Sequence, residues 1–264
     1  MMPVDQRRTV VALEKRLAGC RNVITLGAKP NFSDYSDKDA ALIHDARIIY
    51  YPTLFYADLF DVMGKKTFPG YHTYKCVQDK IKQTALLSLL HIPHPKTRVF
   101  YGKKQKAEIL RYFAFPLIGK IPRGSAMGKG IFLIRNQSEL DAYCGRIHPA
   151  YIQEYFPIDR DIRVVVIGNR IVHSYWRIAL PNEFRTNVAQ GGVISLEPVP
   201  KAALDLALTT ARRCRWDDVG IDICMHKDSY YVLEANMKYG REGFRAAGID
   251  FIQMMENMIE NKEI

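Results

Sequence analysis

The stretch GKIPRGSAMGKGIFLI, Gly119 to Ile134, is rich in glycine and carries two lysines, a composition suited to wrapping phosphate. The first pattern to test is the P-loop, G-x-x-x-x-G-K-[ST], whose backbone N–H groups cradle phosphates and whose hydroxyl meets Mg²⁺. The stretch departs from it twice. Counting back from Gly128-Lys129, the first glycine would fall at Arg123, and Gly130 stands where Ser or Thr is required. The flanks differ too. A P-loop leads from strand into helix, whereas FPLIGKI before this loop and IFLI after it are short apolar runs of strand character. What remains is a glycine loop between two strands. It can fold over phosphates as a lid, or be a plain hairpin turn whose glycines supply positive φ.

Outward from the loop, KTRVFYG reads as a strand, KKQKAEILRYF as a helix, and Asn136 to Arg146 as a helix with Ser138 as its N-cap. YIQEYFP, DIRVVVIG and RIVHSYWRI are strands, the last two joined as a hairpin at Gly168-Asn169. A helix over Lys201 to Cys214, strands VGIDICM and SYYVLEAN, and a closing helix from about Ile249 complete this part. Several neighbouring strands lack an intervening helix, which favours antiparallel sheets capped by helices over a doubly wound parallel sheet. Upstream, Val4 to about Ala18 has helical spacing, RNVITLG and ARIIYYPT are strands separated by a polar loop, YADLFDVM is amphipathic, and one long helix spans Tyr74 to Leu90. The fold class is therefore α/β (α+β), with a small α/β unit over residues 1–73 and the remainder over 74–264.

The 264 residues are 48% hydrophobic, enough for a substantial core. No run of 18 apolar residues occurs, and the first residues carry charges where a signal peptide needs an apolar stretch, so a cytoplasmic, non-membrane protein is expected. Five scattered cysteines without a C-x-x-C pair suggest neither a zinc site nor a disulfide framework. A net charge of +10 favours anionic partners. Its basic residues are dispersed and form no nucleic-acid module, so nucleic acid is not the expected partner.

Three oxygen donors stand near the C-terminus: Asp222 in GIDIC, then Glu234 and Asn236 in LEAN. Glu234 and Asn236 are two apart, so on a strand they share a face. If VGIDICM pairs antiparallel with SYYVLEAN, Asp222 lies beside them, and two carboxylates with an amide oxygen suit Mg²⁺. A salt bridge to Arg163, Arg185 or Arg241 is the alternative. Lys80, Lys120, Lys129 and Arg185 are candidate phosphate contacts, and Lys120 is the least expected to be a surface charge because it lies in an apolar strand.

The order of DK, FPLIGK, GSAMGKGI, IQEYF, DIRVVVIG, FRTN with Gly191-Gly192, GIDI and LEAN resembles the RimK-type branch of the ATP-grasp ligases, over roughly Tyr71 to Asp250. The resemblance implies an ATP-grasp fold of two α+β subdomains, a lid-bearing one over about 97–154 and a metal-binding one over about 155–264, behind a shortened pre-ATP-grasp segment. It implies that Lys80 and Lys120 contact the phosphates, and that the loop Gly124 to Gly130, with Gly124, Ser125, Met127 and Gly128, closes as the lid. Glu154 and Tyr155 meet adenine, and Asp161 holds the ribose. Arg185 and Asn187 sit near nucleotide and metal, and Arg177 faces the reacting groups beside Arg185. Asp222, Glu234 and Asn236 bind Mg²⁺ or Mn²⁺. The implied activity is an ADP-forming ligase that joins a carboxylate of an amino acid or peptide to an amine through an acylphosphate. A kinase on the same fold and a non-catalytic nucleotide-binding module are the alternatives. Homo-oligomers are common among such ligases. One departure bears on substrate: where the family commonly reads N-x-S-P-G, this chain reads Asn236-Met237-Lys238-Tyr239-Gly240-Arg241, which adds Lys238 and Arg241 beside the expected acyl site.

Overall fold

A computed structural model describes residues 10–124, 130–181, 183, 186 and 191–264. The chain opens on a parallel sheet of β1 (Val10–Ala12), β2 (Val23–Thr25), β3 (Ile48–Tyr50) and β4 (Lys66–Phe68) in the order β2-β1-β3-β4. Helices α1 (Asp37–Asp45) and α2 (Thr53–Val62) fill its crossovers. The helix expected over Val4 to Ala18 is therefore corrected in its described part. Val10 to Leu13 form a continuous apolar run with Val11, Ala12 and Leu13 fully buried, as in a parallel strand covered on both faces, and only Lys15–Leu17 make a helical turn. The polar loop expected after β2 contains α1, started by Ser36, whose hydroxyl accepts from the Asp39 N–H.

The single helix expected over Tyr74 to Leu90 is two, α3 (Tyr71–Val77) and α4 (Lys80–Leu89). The break falls at Asp79, whose carboxylate accepts from the N–H groups of Ile81 and Lys82 and so starts a new helix. Beyond lies a four-stranded antiparallel sheet, β5 (Thr97–Phe100), β6 (Leu117–Lys120), β7 (Ile131–Ile134) and β8 (Ala150–Glu154), ordered β5-β8-β6-β7. The helix read from KKQKAEILRYF is split into α5 (Gly102–Lys106) and α6 (Ile109–Tyr112), and α7 (Gln137–Arg146) is capped by Asn136, not Ser138. Tyr143 of α7 and Ile109 of α6 pack with Leu117, Ile134 and Ile152 of the sheet.

The third sheet is antiparallel, with β9 (Arg160–Ile167), β10 (Arg170–Ile178), β11 (Val193–Ser195), β12 (Asp218–His226) and β13 (Ser229–Asn236) in the order β11-β10-β9-β12-β13. Between β11 and β12 runs α8 (Lys201–Cys214), and α9 (Glu242–Ala246) and α10 (Phe251–Glu260) close the chain. Buried Ala203, Ala207, Ala211 and Cys214 follow helical spacing, so one stripe of small residues lets α8 lie against the valine-rich β9. In α10, Phe251, Met255, Met258 and Ile259 form a similar stripe. They share one core with Ala12, Tyr50 and Phe68 of the first sheet and with Val165 and Ile167 of β9, while the other face of that sheet packs Val11, Leu13 and Ile49 with Ile43, Tyr56 and Phe60 into a core of the N-terminal unit's own. Among the described residues no helix is long and apolar enough to cross a membrane. All five cysteines are free.

Candidate active site

The β6–β7 pair is a hairpin: Lys120 faces Ile131, and the Ile121 N–H donates to the Gly130 carbonyl at 2.8 Å. Gly124 and Gly130, the described ends of the glycine loop, lie beyond its two strands. Ser125, Met127, Gly128 and Lys129 lie outside the described residues, as do Arg185 and Asn187. The hairpin overhangs a cleft of about 640 Å³ between the two antiparallel sheets. Ile118, Ile131, Phe156, Ile158 and Leu233 line its apolar end, and Lys120, Asp161, Arg177, Asp222 and Glu234 its polar end. Glu154 and Tyr155 line it where one sheet passes into the other. Glu154 is fixed there because its carboxylate accepts from the Lys96 N–H while its own N–H donates to the Lys96 carbonyl. Phe156 is held flat by His226, stacked at 4.0 Å, and edge-on by Tyr231.

Lys80 occupies the first turn of α4, with its N–H donating to the Pro122 carbonyl at the base of the hairpin loop. Its ammonium lies 4.0 Å from Glu234 Oε2. Lys120 is buried on β6, where burial is the largest influence and lowers its pKa, with Glu234 opposing and Lys80 adding to the fall. Glu234 feels the reverse balance. Burial works against its charged form, but Lys80, Lys120 and a hydrogen bond from Asn236 Nδ2 (2.8 Å) outweigh it and bring its pKa down to about 2. Two lysines, one from helix α4 and one from strand β6, thus converge on one carboxylate.

β12 and β13 pair antiparallel, with Asp222 opposite Glu234 and Asn236 opposite Gly220. Asp222 is committed more heavily than its residue type predicts. Arg163 forks onto it through Nε and Nη2, and Arg177 Nη2 lies 2.9 Å from its Oδ2. The structure therefore contains the salt bridge to Arg163 that was the alternative to a metal. Asp161 is also engaged: Arg177 Nε (2.7 Å) and Nη2 (2.5 Å) fork onto it, and Thr186 Oγ1 donates at 2.6 Å. Burial would lower the Arg177 pKa, but Asp161 and Asp222 hold it above the ordinary value. Arg163, Thr186 and Asp79 were not among the expected site residues. Arg163 had a visible signal, since Asp161 and Arg163 alternate onto one face of an otherwise apolar strand.

The donors suit a hard cation in chemistry and in one specific atom. Glu234 Oε2 is buried without a hydrogen-bond partner, beside the Asn236 amide and opposite Asp222. Among the described residues no three His, Cys, Asp or Glu side chains gather about one point, so the set is two carboxylates completed by an amide. Arg241 is turned away from the cleft. Its Nη2 donates to the Arg16 carbonyl at 2.8 Å and its guanidinium lies 4.5 Å from the Phe251 ring centroid. Lys238 is exposed.

A model of the RimK-like ATP-grasp domain matches residues 77–259. The chain belongs to the RimK-like ATP-grasp family. It is, with that family, an ADP-forming, ATP-dependent carbon–nitrogen ligase. A probable alpha-L-glutamate ligase of Enterobacter sp. (strain 638) is 29% identical over 209 residues, covering 76% of this chain and 69% of that protein. The ribosomal protein bS6–L-glutamate ligase of Salmonella paratyphi B matches over the same length and at the same identity. Among solved structures, a RimK-domain ATP-grasp protein of Sphaerobacter thermophilus superposes with a TM-score of 0.69 at 16% identity, covering 94% of this chain and 98% of that one. D-alanine–D-alanine ligase of Bacillus anthracis gives 0.67 at 13% identity and 96% of each chain. The ATP-grasp fold expected from the motifs is thereby shown.

Proposed function

We propose that this RimK-like ligase joins the carboxylate of an amino acid or peptide to an amine, in the cytoplasm, through an acylphosphate. The carboxylate oxygen attacks the γ-phosphorus of ATP and ADP leaves. The amine nitrogen then attacks the acyl carbon, losing a proton as phosphate departs. The observation that carries this is the convergence of Lys80 and Lys120 on Glu234 at the polar end of a cleft whose other end is apolar and flat-walled, a shape for a purine with its phosphates.

In this reading Ile118, Ile131, Phe156 and Leu233 clamp adenine near Glu154 and Tyr155. Lys80 and Lys120 offset phosphate charge, and the hairpin loop, Gly124 to Gly130, covers the acylphosphate against water. Arg185 and Asn187 are assigned to nucleotide and metal by motif alone. Asp222, Glu234 and Asn236 hold Mg²⁺ or Mn²⁺, which when bound neutralises charge on the transferring phosphoryl group. Asp161 fixes Arg177, and a ribose hydroxyl must displace one of its partners to be held there. Lys238 adds positive charge for an anionic substrate. Two of the similar proteins are named as glutamate ligases, which supports amino acids and peptides as the first substrates to try.

The test is amine-dependent ADP release over a panel of carboxylates and amines, with the product mass recorded. Glu234→Gln is expected to lower turnover by at least about a hundredfold while staying folded, with a lower melting temperature because Lys80 and Lys120 lose their shared counter-charge, and Lys238→Ala to raise KM for acidic substrates only. A stable phosphorylated product without an amide bond, or undiminished turnover in Glu234→Gln, defeats the proposal.

A further inference from the structure

The two arginines on Asp222 are not equivalent. Arg163 gives that carboxylate its whole fork, and its remaining Nη1 donates to the Tyr239 carbonyl at 3.0 Å. Arg177 spends its fork on Asp161 and reaches Asp222 Oδ2 through Nη2 alone, at 2.9 Å. Separating Arg163 from Asp222 breaks two charge-assisted bonds and leaves a buried carboxylate with the single Arg177 contact. Separating Arg177 from it breaks one. Arg177 then stays anchored, because Asp161 is itself tied down by Thr186.

Charge balance points the same way. Among the described residues, the three carboxylates that line the polar end of the cleft, Asp161, Asp222 and Glu234, are in contact with or face four cations: Lys120 and Arg177 of its lining, and Lys80 and Arg163 beside it. The surplus is one positive charge, in a site where Asp161, Asp222, Arg163 and Arg177 are all buried. A divalent cation arriving alone would add to that surplus and would have to compete with the Arg177 guanidinium for Asp222. A cation arriving on a nucleotide brings net negative charge, which the same surplus attracts.

We propose that Arg177 holds Asp222 in place of a metal while the enzyme is nucleotide-free, and yields that single bond only to a divalent ion carried in by nucleotide phosphate. Arg177 thereby acts as an exchangeable counter-ion, and Arg163 as the fixed one. The proposal rests on the assignment of Asp222 and Glu234 as metal ligands.

The experiment measures water-proton relaxation enhancement by Mn²⁺ on the full chain, with and without a non-hydrolysable ATP analogue, for wild type and Arg177→Met. Wild type is expected to show no protein-bound Mn²⁺ up to about 1 mM free ion, and clear enhancement once the analogue is added. Arg177→Met is expected to bind Mn²⁺ alone, on the order of tenfold more tightly than wild type. Arg177→Lys, which keeps the charge, is expected to resemble wild type. If Arg177→Met does not fold, Arg177→Gln carries the same expectation. Wild type binding Mn²⁺ equally well with and without the analogue, or a folded Arg177→Met that gains no affinity, overturns the exchange and leaves the ligand assignment standing. No protein-bound Mn²⁺ in wild type even with the analogue overturns the ligand assignment itself.

Discussion

A methyl group at position 220 would lie 2.5 Å from Tyr239 Cβ and 2.9 Å from Arg163 Cδ. Gly220 is needed for this close approach: Arg163 crosses the bare backbone of β12 there to reach Asp222, two residues on. Gly220→Ala must push back a backbone-rooted tyrosine, a flexible arginine, or both. It is expected to cost about 1–3 kcal/mol, read as a lower melting temperature, and to reduce ATP turnover because the Arg163 fork is displaced. Unchanged stability and turnover would mean that Tyr239 has room to give way. Gly119 is comparable in the four-stranded sheet of β5 to β8, where a Cβ would meet Tyr143 at 2.7 Å and Ile134 at 2.9 Å. Glycines in the apolar runs PLIGK and VGIDI thus carry packing information that composition alone does not reveal.

At the scale of elements, the break between α3 and α4 has the clearest functional consequence. Asp79 caps α4 and also receives Arg123 Nε at 2.8 Å, so one carboxylate starts the helix that presents Lys80 and pins the base of the glycine loop. Asp79→Ala is expected to cost about 1 kcal/mol from the lost cap and to raise KM for ATP more than it lowers kcat, since the start of α4 and the base of the glycine loop both loosen. Asp79→Asn, which keeps the cap acceptor, should recover the stability but not the full affinity. Equal KM in all three proteins would separate the cap from nucleotide binding.

This break was hidden in the sequence because apolar spacing runs on across Gln78 and Asp79, and periodicity cannot see a cap inside a continuous pattern. The antiparallel sheets were legible for the opposite reason. FPLIGKI, IFLI, DIRVVVIG and LEAN are apolar runs bounded by glycine or polar residues, and their pairings follow from short connections. Three-residue β1 and β11 left too short a trace, and β1 imitated a helix because a strand covered on both faces does not alternate. In the site, the proximity of Lys80, Lys120, Glu234 and Asn236 was foreseeable from motif order. The double arginine hold on Asp222 was not, since it depends on the register of β9 against β12, which sets Arg163 opposite Asp222.

On the scale of the whole molecule, the N-terminal unit is tied to Asp222 through a short chain of contacts that starts at Arg16. Arg16 Nη1 donates to the Met237 carbonyl at 2.9 Å, its Nε lies 3.7 Å from Asp218, and its guanidinium stacks 4.5 Å from the Tyr239 ring centroid. Tyr239 in turn donates to Asp218 through its hydroxyl at 2.6 Å, and its carbonyl receives the Arg163 that forks onto Asp222. Asp218 is fully buried, so removing Arg16 leaves a carboxylate with no cation in contact among the described residues. Arg16→Ala is expected to cost about 3–5 kcal/mol, a fall of roughly 10 °C in melting temperature for a chain of this size. Because the first sheet shares its core with α10 and β9, the loss should appear as one cooperative transition shifted as a whole. Turnover should fall even below the transition, since Tyr239 no longer fixes Arg163. Arg16→Lys keeps the charge without the flat stack and should recover part of the stability. Calorimetry that instead resolves two transitions, with the later one unmoved in Arg16→Ala, would show the N-terminal unit to be an appendage and not a wall of the site.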